Sequence, residues 1–141
     1  MKTNIVKLNP RSLSSLSVLF MIVMLFSLSA CGGSPAGVTM MTQTELLAAI
    51  DAKQSPLVID ARSPNEYKDG HVPGAINIPH TEIAQRLDEL SGYKDKETVV
   101  YCERGVRAGK AEAVLLKAGF SQVRHLEGDM RAWRSKGLVT E

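Results

Sequence analysis

A parallel α/β sheet is the fold class that this sequence predicts, and three observations carry it. Segments of strand character alternate with segments of helical periodicity over most of the chain. The run Leu57-Val58-Ile59 is apolar at consecutive positions, as a strand buried on both faces of a parallel sheet must be. A β-branched run, Thr98-Val99-Val100-Tyr101, ends in Cys102 and gives way to a helical stretch. Cys102 and Asp60 therefore both stand at the carboxyl ends of strands, where open α/β sheets bind their ligands.

Taken in order, the chain opens with residues 1–30 in the pattern of a signal peptide. Lys2, Lys7 and Arg11 form a basic region ahead of the apolar run Val18 to Phe26, which is too short to span a bilayer needing about 20 apolar residues. Leu28-Ser29-Ala30-Cys31 follows and resembles the bacterial lipobox, in which the cysteine becomes the lipidated first residue of the mature protein. The alternative, an uncleaved anchor, is disfavoured by Ser27 and Ser29 within the run. Several acyl chains on Cys31 would hold the protein firmly on a membrane, where one chain is marginal. Gly32 stands where aspartate would favour retention in the inner membrane, so the expectation is a periplasm-facing protein on the outer membrane. Residues 31–38 then serve as lipidated cysteine and flexible linker, given Gly32-Gly33-Ser34-Pro35-Ala36-Gly37.

Residues 39–141 form the folded domain. Thr42-Gln43-Thr44-Glu45 is a capping-box pattern, with Leu46, Leu47 and Ile50 following at helical spacing. The strand at 57–59 comes next, and Ala75-Ile76-Asn77-Ile78 reads as a short strand stopped by Pro79. Glu82 to Leu90 places Ile83, Leu87 and Leu90 on one helical face, with Ser91-Gly92 ending it. The strand at 98–101, a helix over Ala108 to Leu116 closed by Gly119, the strand Val123 to Leu126 and a last short helix through Trp133 complete the alternation. Leu126 and Trp133 are expected in the core.

Composition narrows the function. The net charge of +2 comes from the N-terminal segment. Without Lys2, Lys7 and Arg11, the 17 basic residues fall one short of the 15 acidic ones, so nothing points to nucleic acid. With Cys31 acylated, Cys102 is the only free thiol, which excludes an intramolecular disulfide and a dithiol redox motif. A buried structural cysteine would have apolar neighbours on both sides, whereas Glu103, Arg104 and Arg107 follow this one.

The turn Cys102-Glu103-Arg104-Gly105-Val106-Arg107 has the means to make that thiol a reagent. Backbone N–H groups at a helix N-terminus lack intrahelical partners and favour an anion. Six residues curled around one point aim those groups inward as an anion nest. Gly105 supplies positive φ, and Arg107 adds a permanently charged planar fork. Cysteines in such settings have pKa values lowered from about 8.5 to roughly 3.5–7.5, which predicts a thiolate at neutral pH.

Cys102-x-x-Gly105-x-Arg107 after a hydrophobic strand, preceded by Asp60-x-Arg62 and by Gly70-His71-Val72-Pro73-Gly74-Ala75, resembles the single-domain rhodaneses. The likeness runs from about Thr39 to about Gly137. It implies a five-stranded parallel sheet flanked by helices on both faces and a sulfurtransferase with Cys102 as the catalytic residue. It implies double displacement: a sulfane sulfur passes from a donor such as thiosulfate to Cys102 as a persulfide, and then to cyanide, a thiol or a protein acceptor. Residues 103–107 would bind the persulfide or substrate, with no cofactor or metal. Arsenate reductases and dual-specificity phosphatases of similar architecture use Cys-x5-Arg, and here that position holds Ala108, which disfavours both activities. A persulfide carrier or interaction module with little turnover on small donors shares the same loop and stays open.

The remaining polar residues near these motifs are expected to support the loop more than to react. Asp60 is expected to bond loop N–H groups more than to react, and Arg62 and Glu66 to pair with each other or with Asp60. Glu103 and Arg104, facing the pocket mouth, would offset each other and select among donors. His71 matches a scaffold position in the Gly-His-x-Pro-Gly-Ala turn, and His80 and His125 are expected at the surface or in packing. The three histidines have no metal-ligand spacing. Gly128-Asp129 departs from the family's Gly-Gly before the last helix; Asp129 is expected to tolerate left-handed geometry and cap a helix starting near Met130.

Overall fold

A computed structural model of the chain describes residues 37–141. The signal peptide at 1–30, Cys31 and most of the linker at 31–38 lie outside the described residues. No helix among the described residues is long and apolar enough to cross a membrane.

Five short strands form one sheet. They are β1 (Thr39–Met41), β2 (Leu57–Asp60), β3 (Ile76–Asn77), β4 (Thr98–Tyr101) and β5 (Val123–Leu126). Their order is β1-β5-β4-β2-β3, and every pairing is parallel. The helices are α1 (Gln43–Asp51), α2 (Pro64–Lys68), α3 (Val106–Lys117) and α4 (Asp129–Ser135). This is the five-stranded parallel α/β architecture expected above.

Side-chain alternation along the central strands builds two cores. Val99 and Tyr101 of β4 join Leu46, Met130 and Trp133, the side of α1 and α4. Val100 and Cys102 point the other way, into Ala108, Ala111, Leu115 and Phe120. Cys102 thus leaves the strand on the α3 side, and Leu126 and Trp133 are fully buried on the other.

Local signals set the helix starts. Thr42 and Glu45 make the reciprocal capping box read from the sequence. The short α2 was not anticipated, although its signal is present: Ser63 and Glu66 form a second capping box with Pro64 in the first turn. α3 begins at Val106, two residues earlier than expected, so Val106 and Arg107 belong to its first turn. Gly105 is the N-cap, at φ +89°.

The helix expected over 82–90 is replaced by two 3-10 segments, Ile83–Gln85 and Leu87–Tyr93. Ile83 and Leu90 are buried as their periodicity requires. Between them Arg86 leaves helical geometry at φ −110°, ψ 15°, and its guanidinium donates to the Asn77 carbonyl oxygen at 3.2 Å. That tie to the end of β3 interrupts the regular coil, so tertiary anchoring overrides the 3.6-residue period.

Candidate active site

Cys102 follows the last residue of β4 and is 1% exposed. The Gly105 N–H donates to its Sγ at 3.1 Å, at the head of α3. A left-handed residue at 105 permits this reversal, and a β-carbon there would lie 3.2 Å from Asp129 Oδ2 and 3.5 Å from His125 Cε1. Both backbone freedom and space thus call for glycine.

Three further ties fix the loop. The Cys102 N–H donates to Asp129 Oδ1 at 2.8 Å, and the carbonyls of Cys102 and Glu103 accept from the N–H groups of Met130 and Arg131. Glu103 is ion-paired to Arg134 at 2.9 Å and faces Arg62 Nη1 at 3.7 Å, so it braces the loop as well as bordering it. Arg104 is exposed and has no ion pair among the described residues. It lines an open cavity of about 500 Å³ with Gly128, Asp129, Arg131, Ala132 and Ser135.

Arg107 points from the first turn of α3 to Glu66, in a two-pronged pair of 2.6 and 2.7 Å. That pair, with help from Ser63, holds the Glu66 carboxyl well below the usual range, and Glu66 with a smaller share from Cys102 keeps Arg107 firmly charged. Glu66 was expected to pair with Arg62 or Asp60, if it paired; α2 carries it to Arg107 instead.

Asp60 and Arg62 are both fully buried and bonded to each other, with Nη2 to Oδ2 at 2.6 Å. Asp60 Oδ1 also accepts the Arg62 N–H, which closes the turn after β2, and Tyr101 OH donates to Oδ2 at 2.8 Å. Arg62 Nη2 reaches the Gly70 carbonyl oxygen. Its Nη1 is buried without a hydrogen-bond partner and is the atom that faces Glu103. A charge line therefore runs from Asp60 through Arg62 and Glu103 to Arg134.

The histidines divide. His71 stacks on Tyr67 with ring centroids 3.7 Å apart and places Nδ1 3.0 Å from the Tyr67 carbonyl oxygen. His125 is neither a surface residue nor a packing one. It lies between Glu112 (Nδ1 to Oε1, 2.5 Å) and Asp129 (Nε2 to Oδ2, 3.2 Å), and these bonds, Asp129's first, push its pKa up to about 10. Asp129 adopts the left-handed geometry expected, at φ +53°, but does not cap its helix. Gly128 stands at the N-cap, and the Asp129 carboxylate turns to Cys102 and His125.

Glu112 and the partnership of His125 had only faint sequence signals. Val123 and His125 share a side of β5 by the period of two, the side of α3. Glu112 is an acidic residue on the buried stripe Ala108, Ala111, Leu115, where an unpaired carboxylate does not belong.

The Rhodanese-like domain family matches residues 42–136. The chain belongs to that family. Protein YqhL of Bacillus subtilis (strain 168) is 36% identical over 96 residues, 68% of this chain and 72% of the relative. A sulfurtransferase of Allochromatium vinosum is 37% identical over 82 residues, covering 58% and 75%. Among solved structures, the human single-domain sulfurtransferase TSTD1 superposes with a TM-score of 0.61 at 25% identity, covering 71% of this chain and 98% of that one. Rhodanese-like membership beside relatives of this name supports sulfur transfer as the chemistry in general.

Proposed function

We propose that this rhodanese-like protein moves a sulfane sulfur from an anionic donor such as thiosulfate to a thiophilic acceptor, through a persulfide on Cys102. The observation that carries the reading is the sulfur's position: Cys102 Sγ accepts the Gly105 N–H at the head of α3, in a turn whose backbone is fixed by α4. In the first step the Cys102 thiolate attacks the outer sulfur of thiosulfate. The S–S bond of the donor breaks and its electron pair leaves with sulfite. In the second step cyanide or a thiolate attacks the terminal sulfur, and the pair returns to Cys102 Sγ as the thiolate. No external electrons enter. The α3 N-terminus and Arg107 stabilise the anionic sulfur in both steps. Asp60 and Arg62 support the turn from beneath.

A second reading, a persulfide carrier serving a protein acceptor, is favoured by the burial of Cys102, which shields a bound sulfur from small solutes. In either case Cys31 is proposed as the lipidated residue that tethers the domain at the outer membrane, facing the periplasm.

The experiment is intact mass before and after thiosulfate, with sulfite and thiocyanate release followed on adding cyanide. Gain of one sulfur by the unmodified protein and none by Cys102→Ser, with turnover, is the expected result. Gain without turnover selects the carrier. No uptake from thiosulfate or from a persulfide donor overturns both.

A further inference from the structure

Behind the cysteine loop lies a second cluster of charged groups that the transfer steps do not use. His125, Glu112 and Asp129 have side chains only 14%, 7% and 6% exposed. They come from three elements, β5, α3 and the start of α4, and meet at the back of Gly105. Asp129 spends its two oxygens on different partners, Oδ1 on the Cys102 N–H and Oδ2 on the imidazole. It does so from a left-handed backbone that non-glycine residues rarely adopt.

We propose that His125, Glu112 and Asp129 form a buried clamp in which Asp129 is a positioning residue for Cys102, holding its backbone N–H from behind, while the His125 cation offsets the carboxylate charge that would otherwise face the sulfur. The proposal rests on Cys102 being the reacting thiol. With the imidazole protonated and both carboxylates ionised the cluster carries one net negative charge. Losing the cation leaves two, and losing one carboxylate leaves none. Anionic sulfur at Cys102 is disfavoured in the first case and favoured in the second.

The groups facing the imidazole are few. α3 presents Glu112 and α4 presents Asp129. The loop presents Gly105, and through it the Cys102 sulfur. The neighbouring charge on β5, Arg124, pairs instead with Glu97 and Glu45.

The test is the pH profile of Cys102 alkylation by iodoacetamide in the full chain held in detergent micelles, read on the Cys102 peptide so that Cys31 does not contribute. His125→Gln is expected to move the midpoint up by about one pH unit, a tenfold loss of rate at a fixed pH below both midpoints. Asp129→Asn keeps an oxygen for the Cys102 N–H but sheds the charge, and is expected to move the midpoint down. The double variant restores the net charge and is expected to return near the original. A residue that merely stabilised the fold would give no such opposite shifts and no restoration. Midpoints that stay in place in folded variants, or both single variants shifting the same way, overturn the proposal. If His125→Gln does not fold, Asp129→Asn decides alone by its direction, and if that also fails, Glu112→Gln supplies the same sign from α3. Alkylation needs no sulfur donor, so a failure of the clamp is distinguishable from a failure of sulfur transfer.

Discussion

Arg107 is the residue on which charge and turnover separate most cleanly. It lies in the first turn of α3, 28% exposed, clasped by a Glu66 that is 35% exposed. A partly solvated pair of this kind contributes at most about 1 kcal/mol to folding. In the proposed mechanism its loss removes a positive charge from beside the developing anion, an effect of order a hundredfold in comparable sites. Arg107→Ala is therefore expected to cut kcat/KM for thiosulfate by about a hundredfold with little change in melting temperature. Loss of the fold together with activity would refute the role. Arg107 and Cys102 were legible as a pair because both lie within one short motif. Glu66 was not legible as their partner: it is 41 residues from Arg107, and only the folding of α2 brings it there.

At the scale of elements, the junction of β5, α3 and α4 makes stability depend on alkaline pH. His125 has a folded pKa of about 10 against an unfolded value near 6.5. A raised pKa contributes stability that is complete below the unfolded value and is lost as the pH climbs through the folded one. Melting temperature is thus expected to fall between about pH 6.5 and pH 10, and His125→Gln to flatten that decline. A wild-type curve flat across this window would refute the assignment. Sequence patterns found most of these elements because capping boxes and apolar strands act locally. They missed the 3-10 segments over 83–93 because the decisive bond, Arg86 to Asn77, joins separate elements. They misplaced Asp129 for a related reason, since its carboxylate answers to a cysteine 27 residues upstream rather than to its own helix.

For the whole molecule, the proposed lipid anchor and the folded domain make separable demands. The parallel sheet was predictable in outline because both its central strands are apolar at successive positions, so they admit no solvent-facing side. The anchor rests on sequence pattern alone. Cys31→Ser is expected to abolish incorporation of labelled palmitate and to release the protein from the outer-membrane fraction, while sulfur uptake at Cys102 continues. Retained labelling would refute Cys31 as the acceptor.

The dependence of the cysteine turn on α4 also has a consequence in time. Cys102 is made 27 residues before Asp129, and its backbone N–H and carbonyl are held by residues 129 and 130. Those ties are absent until the last helix has been made and has docked. A chain ending before residue 129 would therefore keep the whole cysteine motif and yet lack every group of α4 that holds its backbone in place.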